Sequence, residues 1–461
     1  MTFTKNMTEG NIYRSFLIYS VPLLISSLLS QAYSSIDAVI AGKFISENAL
    51  GAISATGSYD LLLFALFNGF AAGFGIYIAQ QFGKGDFAVV KQDIVSNSVF
   101  IFALALTISS TSVLLRNPIM DYLKVAPALR SDAEVYFVIY TMGYALPYLN
   151  LLLIQALYAL GCTSFSLYVS FIAAAFKIGG NLLSVLVFDL GVAGLALFSI
   201  LSNAAATVCY VLLLCKVFRE LPTEKKAFGF RFSGIQNAIR YALPAAVQQM
   251  AFSGAGVLIA PAINALGAAA TTGFNVSTRI YDLATTSLVC VTNACTCYIA
   301  QCIGKGDCEK IPNGLKVGYI LNAVVLLPFV LVFSLFAKPI TSVFFPPGFV
   351  GDAFQYTVVY TSFYLPFVYV QLVGHVLHSY MRSLGGVQTV LWITLFGCAV
   401  RVAATILLVP SMHIEGAFWG QIISWAADAI VSIIIAICLF RTQEQLKKIA
   451  ERVRDNKLNK I

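Results

Sequence analysis

The stretch Tyr77-Ile-Ala-Gln-Gln-Phe-Gly-Lys-Gly-Asp86 decides how this chain is organised, because it returns as Tyr298-Ile-Ala-Gln-Cys-Ile-Gly-Lys-Gly-Asp307. Other matches fall at the same spacing of 221 to 222 residues, among them Tyr59-Asp60-Leu61 with Tyr281-Asp282-Leu283 and Pro22-Leu23 with Pro244-Ala245. A self-match this long predicts that the 461 residues form two copies of one structural unit.

The composition around this repeat indicates a membrane protein. Hydrophobic residues make up 59% of the chain and charged residues only 11%, whereas soluble domains carry about 25% charged residues. This excludes a disordered chain and argues against a soluble enzyme. Apolar runs long enough to span a bilayer fall near 14–39, 52–81, 94–115, 133–159, 165–188, 192–215, 238–263, 270–303, 314–337, 353–380, 387–410 and 415–440.

The predicted fold is therefore an all-α integral membrane protein with twelve transmembrane helices in two pseudo-symmetric six-helix lobes. We assign 1–215 to the N-terminal lobe, 216–237 to a cytoplasmic linker, 238–440 to the C-terminal lobe and 441–461 to a basic cytoplasmic tail. The tail is predicted to be an amphipathic helix that lies along the membrane surface.

The distribution of positive charge predicts the orientation. With the N-terminus inside, 21 Lys and Arg side chains fall on the inner side and five on the outer side. This bias predicts a multi-pass plasma membrane protein with both termini in the cytoplasm. The net charge of +8 is thus attributed to topology and to anionic lipid, and no nucleic acid partner is expected.

Six helices per half place equivalent points of both halves on the same side of the membrane. Two such bundles, joined by one linker, could rock against each other and expose a central site to either side. The alternative is a repeat that serves packing alone.

Polar residues within the predicted spans are candidates for ion coupling, because a charge in the bilayer is costly. Asp37 and Tyr33 lie one turn apart on one face of the first span, where the carboxylate could take up a proton or a small cation. A structural carboxylate is the alternative. Asn181 and Asp189 share a face of the fifth span, although exposure of Asp189 at the helix end is an equally good interpretation, and Ser199 adds an oxygen from the sixth.

A substrate cavity for flat organic cations is expected from polar and aromatic faces, because aromatic rings attract cations. The candidates are Gln31, Ser34, Tyr144, Asn150, Gln155, Gln248 and Gln249. His375 and His378 share one helix face but lack further metal ligands, so neither a metal nor another cofactor is expected. No arrangement typical of a catalytic nucleophile and base is visible, so the chain is not predicted to be an enzyme.

Several segments in sequence order resemble the multidrug and toxic compound extrusion (MATE) transporters. These segments are Pro22-Leu-Leu-Ile, Asp37-Ala-Val-Ile-Ala-Gly42, Gln81-Phe-Gly-Lys-Gly-Asp86, Leu160-Gly-Cys-Thr163 and Val192-Ala-Gly-Leu-Ala196, with the theme repeated from Pro244 to Asp307. The resemblance implies a V-shaped, twelve-helix antiporter that exports drugs or organic cations in exchange for H⁺ or Na⁺.

The resemblance also implies site residues. Tyr33 and Asp37 match the tyrosine and aspartate of the family's N-lobe cation site, and Asn181 matches its asparagine. Four residues later the family has an aspartate where this chain has Val185, and Asp189 follows one turn further on. The transporter is expected to act as a monomer within lipid. A flippase for lipid-linked saccharides and a membrane-embedded enzyme are the competing hypotheses.

Overall fold

The computed structural model describes residues 6–34, 40–123, 125–222, 229–346 and 348–458. Within these ranges the secondary structure is helical throughout, and no strand occurs. We call the helices before the central linker the N-lobe and those after it the C-lobe.

The described part of the N-lobe contains eight α-helices. They are α1 (Ile12–Ser34), α2 (Glu47–Lys84), α3 (Phe87–Leu114), α4 (Arg116–Tyr122), α5 (Arg130–Met142), α6 (Ala145–Ala159), α7 (Ser164–Leu186) and α8 (Gly191–Glu220). A short π-helical segment, Ala41–Ile45, precedes α2, and one 3-10 turn, Pro127–Leu129, precedes α5.

The C-lobe repeats this order. Its helices are α9 (Phe232–Asn264), α10 (Ala268–Lys305), α11 (Ile311–Leu335), α12 (Ala337–Ser342), α13 (Asp352–Val359), α14 (Val368–Ser383), α15 (Val387–Met412) and α16 (Ile414–Leu458). A 3-10 turn, Cys308–Lys310, precedes α11. A π-helical segment, Tyr360–Tyr364, and a 3-10 turn, Leu365–Phe367, connect α13 to α14.

These helices supply the predicted membrane spans. Eleven are long and apolar enough to cross a bilayer, and α5 with α6, bent by 45° at their junction, supplies the twelfth when counted as one span. The twelve-helix, all-α membrane fold predicted from the sequence is confirmed.

Helices continue past the predicted segment boundaries at two places, the central linker and the tail. Helices α8 and α9 extend into the predicted linker, because α8 ends at Glu220 and α9 begins at Phe232. Helix α16 continues without a break through the predicted tail to Leu458, so the described backbone has no separate surface helix beginning at residue 441. In both places the helix continues past the apolar run, because a helix can extend beyond the bilayer into water.

The repeated Gly-Lys-Gly-Asp turns have the same backbone conformation in both lobes. Gly85 ends α2 with φ of 79°, and Gly306 ends α10 with φ of 83°. This left-handed conformation is readily accessible only to glycine, which explains why the turn needs it at both positions. We call the end of the bundle that carries these two turns the GKGD end.

Helices α2 and α10 cross at the GKGD end with their backbones in contact. A Cβ atom on Gly83 would overlap the carbonyl oxygen of Gln301, and one on Gly304 would overlap that of Gln80. Gly69 and Gly73 of α2 meet the backbone of α9 equally closely. Small residues permit this approach, so the glycines bring the two lobes together.

The buried side chain of Gln80 links the N-lobe to the C-lobe. Its amide nitrogen donates to the carbonyl oxygen of Ser383 at the end of α14, at 2.5 Å. Its amide oxygen accepts from the hydroxyl of Tyr241 on α9, at 2.9 Å. Gln80 therefore satisfies an unpaired helix-end carbonyl of the other lobe.

Gln301, the repeat equivalent of Gln80, makes the reciprocal connection. Its amide nitrogen donates to the carbonyl oxygen of Ala159 at the end of α6, at 3.0 Å. Its amide oxygen accepts from the backbone N–H of Met7, at 2.9 Å. The repeat thus gives two equivalent pairs of hydrogen bonds between the lobes at the GKGD end. We call them the Gln80 latch and the Gln301 latch.

The hydrogen bonds between the lobes among the described residues reach from this end only to the middle of the bundle. The deepest joins Gln31 of α1 to Thr286 of α10. Thr286 lies 18 residues before Gly304, or about 27 Å along a helix of about 57 Å. Toward the other end, Gly57 of α2 and Gly254 of α9 face open space. The lobes are therefore joined over about half of their length.

The end of the linker is anchored to the N-lobe through a buried carboxylate. Asp93 of α3 is fully buried, accepts from the hydroxyl of Tyr77 at 2.7 Å and pairs with the guanidinium of Arg231 at 3.3 Å. The backbone N–H of Arg231 also donates to the hydroxyl of Ser96, at 2.7 Å. These bonds fix the start of α9 against α3.

Replacing Asp93 with alanine is expected to destabilise the protein by about 1–3 kcal/mol, because the buried hydroxyl of Tyr77 loses this acceptor and the partly exposed Arg231 loses its ion pair. The measurement is the melting temperature of the purified protein in detergent. Asp352→Ala removes an exposed carboxylate and is the matched control, with a change expected within about 0.5 kcal/mol. Equal melting temperatures for the two variants would contradict the anchoring role.

Candidate functional site

The cation site predicted in the first span lies at the edge of what the structure describes. Asp37 is outside the described residues. Tyr33 and Ser34 belong to the last turn of α1, but the description does not extend to their side chains. Their joint role therefore stays a prediction.

The other predicted coupling residues occupy different environments. Asn181 of α7 is fully buried, and Ser199 of α8 is nearly so. Asp189 is exposed in the turn after α7, with φ of 50°. Because α7 ends at Leu186, Asp189 does not extend the helical face of Asn181, and its position does not support the role of a substitute carboxylate.

The described N-lobe carboxylate with the most aromatic surroundings is Asp60 of α2. The hydroxyl of Tyr144 donates to it. Tyr144 lies in a ladder of tyrosines along α5 and α6, with successive ring centroids 5.4–5.5 Å apart, made of Tyr136, Tyr140, Tyr144 and Tyr148. An acid with tyrosine rings nearby offers both a negative charge and aromatic groups to a cation.

Two of the predicted cavity residues instead join helices. Asn150 is buried within the N-lobe, where it donates to the carbonyl oxygen of Asn203 at 3.0 Å and accepts from Thr207 at 2.8 Å. Gln31 donates to the hydroxyl of Thr286 in the C-lobe. Their polar groups are satisfied by these contacts.

The larger of the two cavities described is about 260 Å³ and lies in the C-lobe against the lobe interface. Gln155, Gln248 and Gln249, all predicted from the sequence, line it together with Asn68 of α2. The amide of Gln248 is oriented by two bonds: it donates to Thr394 at 2.7 Å and accepts from Arg382 at 2.9 Å. We call this space the C-lobe cavity.

A carboxylate from α16 reaches the face of α14 in this cavity. Asp428 lies 3.4 Å from the Nε2 atom of His378, which also contacts the hydroxyl of Ser432 at 3.1 Å. A Cβ atom on Gly374 would overlap Asp428, so this glycine provides the space for the acid. The sequence shows no carboxylate in the tenth span, and the fold supplies one from the twelfth.

Two arginines also line the C-lobe cavity, Arg382 of α14 and Arg401 of α15. Arg382 is one of the 21 Lys and Arg side chains that the charge count assigns to the inner side, because it lies near the end of an apolar run. Its hydrogen bond to Gln248 shows that it points into the bundle. For the two arginines, the signal in the sequence was the presence of Arg401 inside an apolar segment.

The arrangement can bind and orient polar or charged ligands. It combines amides, two histidines, one acid and two guanidinium groups in one cavity. Among the described residues, no group of three or more His, Cys, Asp or Glu side chains could hold a metal ion. The geometry fits a binding cavity between two repeated helical bundles in a membrane.

Comparison with known proteins agrees with this class of multi-pass membrane protein. The MatE family model matches residues 22–183 and 244–407, one match in each lobe. The chain therefore belongs to the MatE family, whose members are transporters and not enzymes.

Individual relatives are similar to the chain at low sequence identity. Probable multidrug resistance protein YpnP of Bacillus subtilis (strain 168) is 24% identical over 422 residues, which cover 90% of this chain and 91% of the relative. Multidrug export protein MepA of Staphylococcus aureus (strain MRSA252) is 25% identical over 212 residues, 45% of this chain and 46% of the relative.

A solved structure shares the fold. It is an outward-facing conformation of a multidrug resistance MATE family transporter of the MOP superfamily, with a TM-score of 0.88 and 17% sequence identity. The similarity covers 96% of this chain and 99% of that chain. These matches do not favour the flippase hypothesis.

Proposed function

We propose that this protein exports drugs or organic cations from the cell in exchange for H⁺ or Na⁺ by alternating access. Two observations carry the proposal. Among the described residues, the hydrogen bonds between the two repeated lobes reach only from the GKGD end to mid-bundle, and the chain has a near full-length match to a multidrug resistance protein. The proposed substrates are amphipathic molecules that carry a positive charge.

The position of the contacts between the lobes supports alternating access. The Gln80 and Gln301 latches close the GKGD end, and the deepest described hydrogen bond between lobes lies at mid-bundle. The solved relative of the same fold is described as outward-facing. We therefore assign this conformation to the outward-facing state, with the GKGD end in the cytoplasm. That assignment agrees with the charge bias, which predicts that both termini lie in the cytoplasm.

Coupling is proposed to rest on the N-lobe. Asp37 with Tyr33 is the proposed ion site, and Asp60 with its tyrosine ladder is a second acidic group in the same lobe. An ion drives the cycle only when it binds one conformation more tightly than the other. Binding of the ion at Asp37 is proposed to favour one arrangement of the lobes, so that ion binding and cargo binding alternate.

Transport in proteoliposomes tests the proposal directly. The purified protein is reconstituted, and ethidium movement is measured with a proton gradient alone, with a sodium gradient alone and with neither. We expect one gradient to drive ethidium transport, and collapse of that gradient by an ionophore to abolish it. Liposomes without protein are the control. Ethidium movement that neither gradient changes would contradict antiport.

A further inference from the structure

The C-lobe cavity is lined by two guanidinium groups with incomplete hydrogen bonding. Arg382 uses one terminal nitrogen to donate to Gln248, at 2.9 Å. The Nε atoms of Arg382 and Arg401 are both buried, and neither has a hydrogen-bond partner among the described residues. Buried polar groups in proteins are normally paired, so these two donors call for an acceptor.

The cavity lining has more positively charged arginines than acidic side chains. The lining contains Arg382, Arg401 and a single carboxylate, Asp428. Asp428 contacts His378 at 3.4 Å and attracts Arg382 electrostatically. Asp282 lies outside the lining and interacts with Arg401 electrostatically, but no ion pair within 4.0 Å joins them in the described structure.

The same cavity also offers groups that attract a cation. Its lining includes the carboxylate of Asp428 and the aromatic rings of Phe252 and Trp425. The cavity is bordered by Asn68 and Gln155 of the N-lobe, so a ligand inside it contacts both lobes. A molecule with a cationic end and an anionic end therefore matches the groups that line this cavity.

We propose that the C-lobe cavity binds the carboxylate of a zwitterionic amphipathic cargo, with Arg401 and Arg382 as the carboxylate-binding residues. Guanidinium groups bind carboxylates through paired, charge-assisted hydrogen bonds, and both guanidinium groups belong to residues that line this cavity. The inference rests on the proposed function and adds a second recognition element to it, so that cargo with both charges is preferred over cargo with the positive charge alone.

A pair of dyes isolates the carboxylate. Rhodamine 110 carries a xanthylium cation and a free carboxylate, and rhodamine 123 is its methyl ester with the same cation. Binding of each dye is measured by fluorescence anisotropy, with the full-length protein in phosphatidylcholine nanodiscs. The wild-type protein is expected to bind rhodamine 110 about tenfold more tightly than rhodamine 123, as expected for a charge-assisted pair.

Variants of Arg401 assign the preference to the cavity. Arg401→Gln is expected to weaken rhodamine 110 binding about tenfold and so to remove the preference, and Arg401→Lys to keep most of it. Arg240→Gln removes an equal charge from an exposed position outside the cavity lining and is the matched control. The melting temperature of each variant checks that it is folded.

Three results would overturn the assignment. Equal affinity of the wild-type protein for both dyes means that no carboxylate site exists. A preference that survives Arg401→Gln places the site elsewhere. A preference that disappears in nanodiscs containing phosphatidylglycerol means that a lipid headgroup is the natural anion. None of these three binding results would contradict ethidium transport driven by an ion gradient. Only the absence of that transport would overturn the proposed function.

Discussion

A leucine in place of Gly304 is expected to abolish drug efflux while leaving the protein inserted in the membrane. Any side chain at this position overlaps the backbone of α2 at Gln80, and a backbone atom cannot rotate away. Overpacking costs about 1–3 kcal/mol, and a clash with backbone belongs at the upper end of that range. The population of the conformation closed at the GKGD end should therefore fall about a hundredfold.

Two measurements check this result. Ethidium efflux from cells should fall to the background of cells without the transporter. Peptide mass spectrometry after maleimide treatment of everted vesicles should detect labelling of Cys297, which is buried between the lobes in the closed arrangement. Gly83→Leu, the repeat equivalent, is expected to behave in the same way.

The matched control for this substitution is Gly179→Leu. Gly179 lies on an exposed face of α7 within the N-lobe, and a Cβ atom there meets nothing within 4 Å. Normal efflux by Gly179→Leu together with lost efflux by Gly304→Leu assigns the effect to the crossing of α2 and α10. Wild-type efflux by Gly304→Leu would show that this crossing does not need to close during transport.

Asp37→Asn is expected to lose export driven by an ion gradient while keeping membrane insertion and the binding of ethidium. Asparagine has nearly the same shape as aspartate, but it neither takes up a proton at neutral pH nor supplies a charge for a sodium ion. Without differential binding of the ion to two conformations, a gradient cannot shift the equilibrium between them. Ethidium efflux from energised cells should therefore fall to background.

The control for Asp37→Asn is Asp189→Asn, which removes the exposed carboxylate after α7. Because Asp189 lies outside the helix, efflux by this variant should equal that of the wild-type protein. Normal export by Asp37→Asn would refute the proposed ion site. Equal loss in both variants would instead make Asp189 part of the coupling machinery, against its exposed position.

Much of the fold was predictable because the bilayer imposes a simple rule on the sequence. Each crossing requires a long apolar run, so the runs predicted the spans to within several residues. The helix ends were less predictable, as at Glu220 and Phe232, because a helix can extend into water. The break between Met142 and Ala145 lies inside one apolar run and left no signal in hydropathy.

Site residues were predicted with less success, because their role depends on the neighbour that each one faces. Gln155, Gln248 and Gln249 line the C-lobe cavity as expected from their polarity. Asn150 is equally polar, yet Asn203 and Thr207 satisfy it within the N-lobe. A polar residue in a span must find a partner, but the sequence does not say whether that partner is another helix or a ligand.

The sequence by itself determined the membrane environment, the number of spans and the duplication, since these follow from composition and from matches along one chain. Tertiary structure alone decided that Gln80 and Gln301 join the lobes, that Gly374 makes room for Asp428, and that Arg382 points into a cavity. The physical reason is that these roles arise between helices distant in sequence, where packing selects which polar groups meet.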